Sequence, residues 1–116
     1  MSNQTFLETA LLAEHSKAQT TRIVRWIGAD AGRLSAMMEI FLGDEYRLTQ
    51  RGAWVVRYVA EKHPELMAPY FPMLIAALDK AGIHDAVKRN VLNVFEPLEI
   101  SAEYHEILLD HCFRYL

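Results

Sequence analysis

One segment of this chain combines basic and aromatic side chains on a single predicted helix face. Over residues 45–62, these side chains recur at helical spacing and lie opposite the apolar ones: Arg47, Arg51, Trp54, Arg57 and Tyr58. Aromatic faces bind cations and other rings, and arginine binds carboxylates and phosphates. The pattern therefore suits an acidic peptide, a phosphate-rich chain or an aromatic side chain. The alternative is that Trp54 packs against a neighbouring helix while the arginines form ordinary salt bridges.

Residue types that serve catalysis or bind metals are present, but without the spacing that either role requires. No two of the five histidines lie four residues apart on one helix, and the single cysteine, Cys112, stands in one loose group with His111. A zinc site needs two close pairs of ligands. The sequence also lacks a glycine-rich phosphate loop and a nucleophile motif. We predict no catalytic residue, no metal site and no cofactor, and hence a protein that is not an enzyme.

Composition indicates one folded domain. Of the 116 residues, 52% are hydrophobic, 23% are charged, and only five are glycine and four proline, which excludes a disordered or low-complexity chain. The net charge of −3 argues against a surface devoted to nucleic acid. One cysteine cannot form an internal disulfide, and no apolar run approaches the ~20 residues of a membrane span. We predict a cytoplasmic protein without membrane association.

Helical periodicity covers the whole chain, and period-two alternation is confined to a short run around Val55. Glycines and prolines divide the chain into pieces of helical length. We predict an all-α protein with helices at about residues 4–15, 17–29, 33–43, 45–62, 65–80, 84–97 and 102–115. The apolar faces predict this core: Ile23, Ile27, Leu34, Met38, Phe41, Leu48, Val55, Val56, Val59, Leu74, Leu78, Val87, Val91, Val94 and Phe95.

The helices repeat along the sequence. At an offset of 32 residues, the segment 23–28 (IVRWIG) matches 55–60 (VVRYVA) in residue class at every position. At an offset of 39, the apolar face of 48–59 matches that of 87–98. Chance similarity between amphipathic helices is the alternative, but periodicity alone does not require a matched arginine and a matched aromatic residue. Repeats of this length, each a pair of helices, are typical of an α-solenoid.

Two segments resemble the HEAT-repeat family, a class of armadillo-like α-solenoids. Residues 70–79 (YFPMLIAALD) resemble the first helix of a HEAT unit, with its internal proline at Pro72, and 85–92 (DAVKRNVL) resemble the second helix. The resemblance implies a single domain, 1–116, of about seven helices: an N-terminal capping helix at 1–15 and units at about 17–43, 45–80 and 84–116. We expect Pro72 to bend its helix along the superhelix.

In HEAT-like stacks, the second helices line the inner, concave surface. If that holds here, the resemblance implies a partner-binding groove formed by Arg22, Arg25, Arg47, Arg51, Trp54, Arg57, Tyr58, Arg89 and Asn93. The expected function is a non-catalytic scaffold that binds an acidic or aromatic-containing peptide of a protein partner. The alternative is a DNA-binding protein of the DNA alkylation repair type. We also expect the apolar face of the helix at 102–115 to be covered, either by a second copy of the chain or by a longer natural chain.

Overall fold

A computed structural model describes residues 2–79 and 85–95. Across these ranges every regular element is helical, which confirms the all-α prediction. The α-helices are α1 (Asn3–Ala13), α2 (Lys17–Ile27), α3 (Ala31–Phe41), α4 (Tyr46–Lys62), α5 (Phe71–Asp79) and α6 (Asp85–Phe95). The predicted helix at 102–115 lies outside the described residues.

Side-chain oxygens begin the first three helices. Ser16 Oγ accepts a hydrogen bond from the Gln19 backbone N–H at 3.1 Å, and Asp30 Oδ1 accepts one from the Arg33 backbone N–H at 2.9 Å. Ser2 caps α1 in the same way. These oxygens satisfy first-turn N–H groups that have no partner within the helix. Gly28 ends α2 with φ 51°, a left-handed backbone conformation that favours glycine.

The predicted helix over 65–80 is wrong in its first half. Two 3-10 helices, Pro64–Leu66 and Ala68–Tyr70, precede α5, which begins at Phe71. A proline disfavours α-helical geometry in the residue before it and removes one backbone donor. Pro64 and Pro69 each remove a backbone donor within six residues, and His63 before Pro64 lies outside the α region with φ −134° and ψ 61°, so the chain forms short 3-10 turns here instead of a continuous α-helix.

The predicted bend at Pro72 is also corrected. Pro72 is the second residue of α5. In the first turn of a helix, the missing N–H would have no intrahelical partner in any case, and a φ fixed near −65° suits the helix start. Pro72 therefore helps to begin α5 and does not bend it.

The second helices, α2, α4 and α6, lie side by side and run in the same direction. Helix α4 packs against both α2 and α6, and also against α1 and α3. Asn90 Nδ2 donates to Gln50 Oε1 at 3.0 Å, and Asn93, one turn later, lies beside Arg57. On the other flank of α4, Thr20 lines the same cleft as Trp54, and Val24 lines the same cleft as Lys62. This parallel layer places the outward face of α4 between two neighbouring helices.

The predicted core is confirmed wherever its side chains are described. All of its members except Val87, whose side chain lies outside the described residues, are buried. Leu7, Leu11, Met37 and Met67 also contribute to the core. Gly52 of α4 faces Met37 of α3, and a Cβ atom at this position would lie 2.8 Å from Met37 Cε.

Candidate functional site

Trp54 stands at the centre of the exposed face of α4. The buried residues of α4 fall on one side of the helix, and at about 100° per residue Trp54 points away from the middle of that arc. The residue is 53% exposed. Its ring centroid lies 6.4 Å from that of Tyr58, which is half-buried one turn later. The two aromatic residues that the sequence places on this face are therefore neighbours in the structure.

Three clefts border Trp54 and Tyr58. The aromatic cleft, of about 340 Å³, lies between α2 and α4 and is lined by His15, Ser16, Lys17, Thr20, Trp54 and Tyr58. The lysine cleft, of about 190 Å³, continues along the same two helices and is lined by Lys17, Thr21, Val24, Tyr58 and Lys62. The asparagine cleft, of about 80 Å³, lies between α4 and α6 and is lined by Ala53, Trp54, Arg57, Asn90 and Asn93.

The linings of these clefts are basic or neutral. Lys17, Arg57, Lys62 and His15 line them, whereas none of the described residues that line them is aspartate or glutamate. Arg57 Nε lies 3.6 Å from Glu61 Oε1 on the exposed side of α4. Because the whole chain carries a net charge of −3, the described linings of these clefts differ in sign from the protein average.

Two of the predicted site arginines make contacts away from these clefts. Arg51 Nη1 donates to the backbone carbonyl of Leu11 at 2.8 Å and lies 3.4 Å from that of Leu12. These carbonyls belong to the last turn of α1, where no intrahelical donor is available, so Arg51 caps α1. Arg22 lies on the opposite flank of α2 from the aromatic cleft, where it pairs with Glu14 at 3.7 Å and donates to Gln19 Oε1 at 2.9 Å.

The remaining predicted residues divide between the clefts and the surrounding surface. Trp54, Arg57, Tyr58 and Asn93 line the clefts. Arg25, Arg47 and Arg89 are exposed on the second helices but line none of the three clefts. The structure thus brings together four of the nine predicted residues.

Several cleft residues are absent from the sequence-based prediction, namely His15, Ser16, Lys17, Thr20, Lys62 and Asn90. The prediction followed homologous positions of the repeat, and homologous positions on parallel helices point in the same direction. Residues that face each other across a groove must therefore come from different positions of each helix. Such residues can be found on the side of the neighbouring second helix that faces the groove. For Trp54, that side of α2 carries Lys17 and Thr20.

Within residues 2–79 and 85–95, no three His, Cys, Asp or Glu side chains are grouped so that they could hold a metal ion. The loose group around His111 and Cys112 lies outside these ranges. Among the helices described, none has both the length and the apolar character needed to cross a membrane.

Stacked helix pairs with a parallel layer of second helices define an α-solenoid. A family model, HEAT repeat domain, matches residues 7–116. The chain therefore belongs to the HEAT repeat domain family, and helical repeat proteins of this kind usually mediate protein interactions. Neither the curated proteins nor the solved structures contain a match to it.

Proposed function

We propose that this chain is a non-catalytic interaction module that binds an acidic segment of a partner protein at the Trp54 surface, defined as Trp54, Arg57, Tyr58 and the three clefts beside them. The observation that carries the proposal is the 53% exposure of Trp54 at the centre of the middle second helix. Tryptophan and arginine are the residue types most enriched at the energetic centres of protein interfaces.

Exposure of Trp54 leaves apolar ring area that a partner could bury. Burial of apolar surface contributes roughly 25 cal/mol per Å². The flanking clefts supply the polar groups that such an interface needs around its aromatic centre. On the α6 side, the amides of Asn90 and Asn93 lie next to Arg57, in a space too small for a ring but suited to hydrogen bonds with a peptide backbone.

Charge favours an acidic partner. Lys17, Arg57 and Lys62 border the clefts, and the described lining residues include no carboxylate. A positive face on a protein of net charge −3 is complementary to an acidic segment and repels a basic one. Such binding should weaken as ionic strength rises.

DNA is the weaker candidate. The arginines that favour DNA binding in the sequence do not share one surface in the structure. Arg51 caps α1, and Arg22 pairs with Glu14 on the other flank of α2. A protein that follows a phosphate backbone needs several cations along one path. Duplex DNA nevertheless belongs in the test as a competing ligand.

A direct test measures fluorescence anisotropy of a labelled acidic peptide containing one phenylalanine, with a neutral peptide and duplex DNA in parallel. We expect the acidic peptide to bind, the neutral one to bind at least about tenfold more weakly, and Trp54→Ala to weaken binding by about tenfold or more. The matched control is Arg22→Ala, which removes an exposed side chain on the opposite flank of α2 and should leave binding unchanged.

Two results would overturn the proposal. In the first, duplex DNA binds more tightly than the acidic peptide, with a steep dependence on salt. In the second, the acidic peptide binds equally well to the wild type and to Trp54→Ala. Far-ultraviolet circular dichroism of each variant establishes that the helices are intact.

A further inference from the structure

We infer that the groove between α2 and α4 recognises two features of the partner at a fixed separation: an aromatic side chain in the aromatic cleft and a carboxylate at Lys62 in the lysine cleft. This inference rests on the proposed function, because it specifies the ligand of the same surface. It also assigns roles to Lys17 and Lys62, which the sequence does not place in the site.

The two clefts adjoin each other along α2 and α4. Lys17 and Tyr58 line both of them, so the clefts meet at these two side chains. Because α2 and α4 run in the same direction, the groove follows the helices from Trp54 at one end to Lys62 at the other. A ligand that enters the aromatic cleft can therefore extend into the lysine cleft without leaving the surface.

The aromatic cleft is large enough for a ring. Its volume is about 340 Å³, whereas a dry cavity of about 150 Å³ is sufficient to bind benzene. Trp54 and Tyr58 form one wall, with ring centroids 6.4 Å apart and planes inclined by 34°. Such a wall suits edge-to-face or offset contact with a third ring.

The lysine cleft supplies cations at the other end. Lys17 and Lys62 both line it, and within residues 2–79 and 85–95 the ammonium group of neither lysine makes an ion pair. The rest of the lining, Thr21, Val24 and Tyr58, carries no formal charge at neutral pH. A carboxylate from a partner would meet two cations there and no described anion.

The distance between Trp54 and Lys62 predicts how far apart the aromatic and acidic residues of the partner lie in its sequence. Lys62 follows Trp54 by eight residues, which is about 12 Å along a helix at 1.5 Å per residue. An extended peptide rises about 3.3 Å per residue. The aromatic residue and the acidic residue of the partner should therefore be three or four positions apart.

The test uses synthetic labelled peptides of glycine and serine that carry one phenylalanine and one aspartate. In one set the two residues are three or four positions apart, in both orders, and in the other set they are adjacent. Anisotropy titrations against the wild type, Trp54→Ala, Lys62→Gln and the control Arg22→Ala give double-mutant cycles between each protein side chain and each peptide side chain.

We expect the spaced peptide of one order to bind at least about fivefold more tightly than the adjacent peptide. Replacement of its phenylalanine by alanine should weaken binding about tenfold in the wild type and less than about twofold in Trp54→Ala. Replacement of its aspartate by asparagine should weaken binding about threefold in the wild type and by less than about twofold in Lys62→Gln, where only Lys17 remains in the lysine cleft.

The inference fails alone if acidic peptides bind in a Trp54-dependent manner but show no preference for spacing or no coupling between aspartate and Lys62. It fails together with the proposed function if no acidic peptide binds, or if binding is independent of Trp54. Both substituted positions are exposed, and thermal unfolding curves that coincide with the wild type establish that the variants are folded.

Discussion

The two tryptophans of this chain occupy contrasting environments. Trp26 packs against Phe6, and the two ring centroids are 4.4 Å apart. We call the group formed by Phe6, Trp26 and Arg33 the Trp26 corner. The Arg33 guanidinium lies 4.4 Å from the Trp26 ring centroid and also donates to the Trp26 backbone carbonyl at 2.7 Å. Trp54, by contrast, has Tyr58 at 6.4 Å and remains 53% exposed.

Both regions thus combine aromatic rings with arginine, but they use them differently. In the Trp26 corner, the ring and the cation are partners of each other, and the arginine joins α3 to the end of α2. At the Trp54 surface, aromatic area and cations border open clefts. The same residue types therefore stabilise the fold where they pack against each other, and form a candidate binding surface where, as at the half-exposed Trp54, they border open clefts.

Alanine substitution of the two tryptophans should change the free energy of unfolding by very different amounts. Trp26→Ala removes the contacts with Phe6 and Arg33, so it should lower the free energy of unfolding by about 2–3 kcal/mol. Trp54→Ala should change it by less than about 0.5 kcal/mol, because the ring is exposed. Urea denaturation of both variants gives the two values. Equal destabilisation by both substitutions would remove the contrast between a structural and a surface tryptophan.

Alanine substitution of two arginines of α4 should give a smaller difference in the free energy of unfolding. Arg51→Ala removes the hydrogen bonds to the last turn of α1 and should lower the free energy of unfolding by about 1 kcal/mol. Arg47→Ala removes an exposed side chain at the start of α4 and should have an effect within about 0.5 kcal/mol. Hydrogen exchange of the α1 amides provides a second measurement, since only Arg51→Ala should speed it. Unchanged α1 exchange in Arg51→Ala would contradict the capping role.

The smallest effect concerns Glu61. Its ion pair with Arg57 is on the surface, so Glu61→Gln should change the free energy of unfolding by less than about 0.5 kcal/mol. The same substitution removes a carboxylate from beside the Trp54 surface and should tighten binding of an acidic peptide by about twofold. Weaker binding in Glu61→Gln would indicate that Glu61 positions Arg57 and does not oppose the ligand.

Helical periodicity predicts most of the fold because a helix that buries one face needs apolar residues at helical spacing along that face. Spacing predicts the apolar faces of α2, α3, α4 and α6, and every predicted core residue whose side chain is described is buried. The prediction is wrong for the segment before α5 because its apolar pattern continues through residues whose backbone is restricted by Pro64 and Pro69. Local backbone constraints overrode side-chain periodicity there.

The candidate site could be predicted only in part. Helical geometry identifies the exposed face of α4 and hence Trp54, Arg57 and Tyr58. It does not show which side chains lie across a groove, because that depends on how neighbouring helices are shifted along their axes. Nor does it show that a long side chain such as that of Arg51 reaches from its own helix to the end of α1.

We propose that Trp54 contacts a partner, whereas Trp26 stabilises the fold. With only two tryptophans in the chain, a two-dimensional nitrogen–proton NMR spectrum contains two indole N–H signals, and the spectrum of Trp54→Phe assigns them. Titration with the acidic, phenylalanine-containing peptide should move the Trp54 signal in a saturable manner and leave the Trp26 signal in place. A Trp54 signal that does not move at saturating peptide, or saturable movement of the Trp26 signal alone, would contradict the claim.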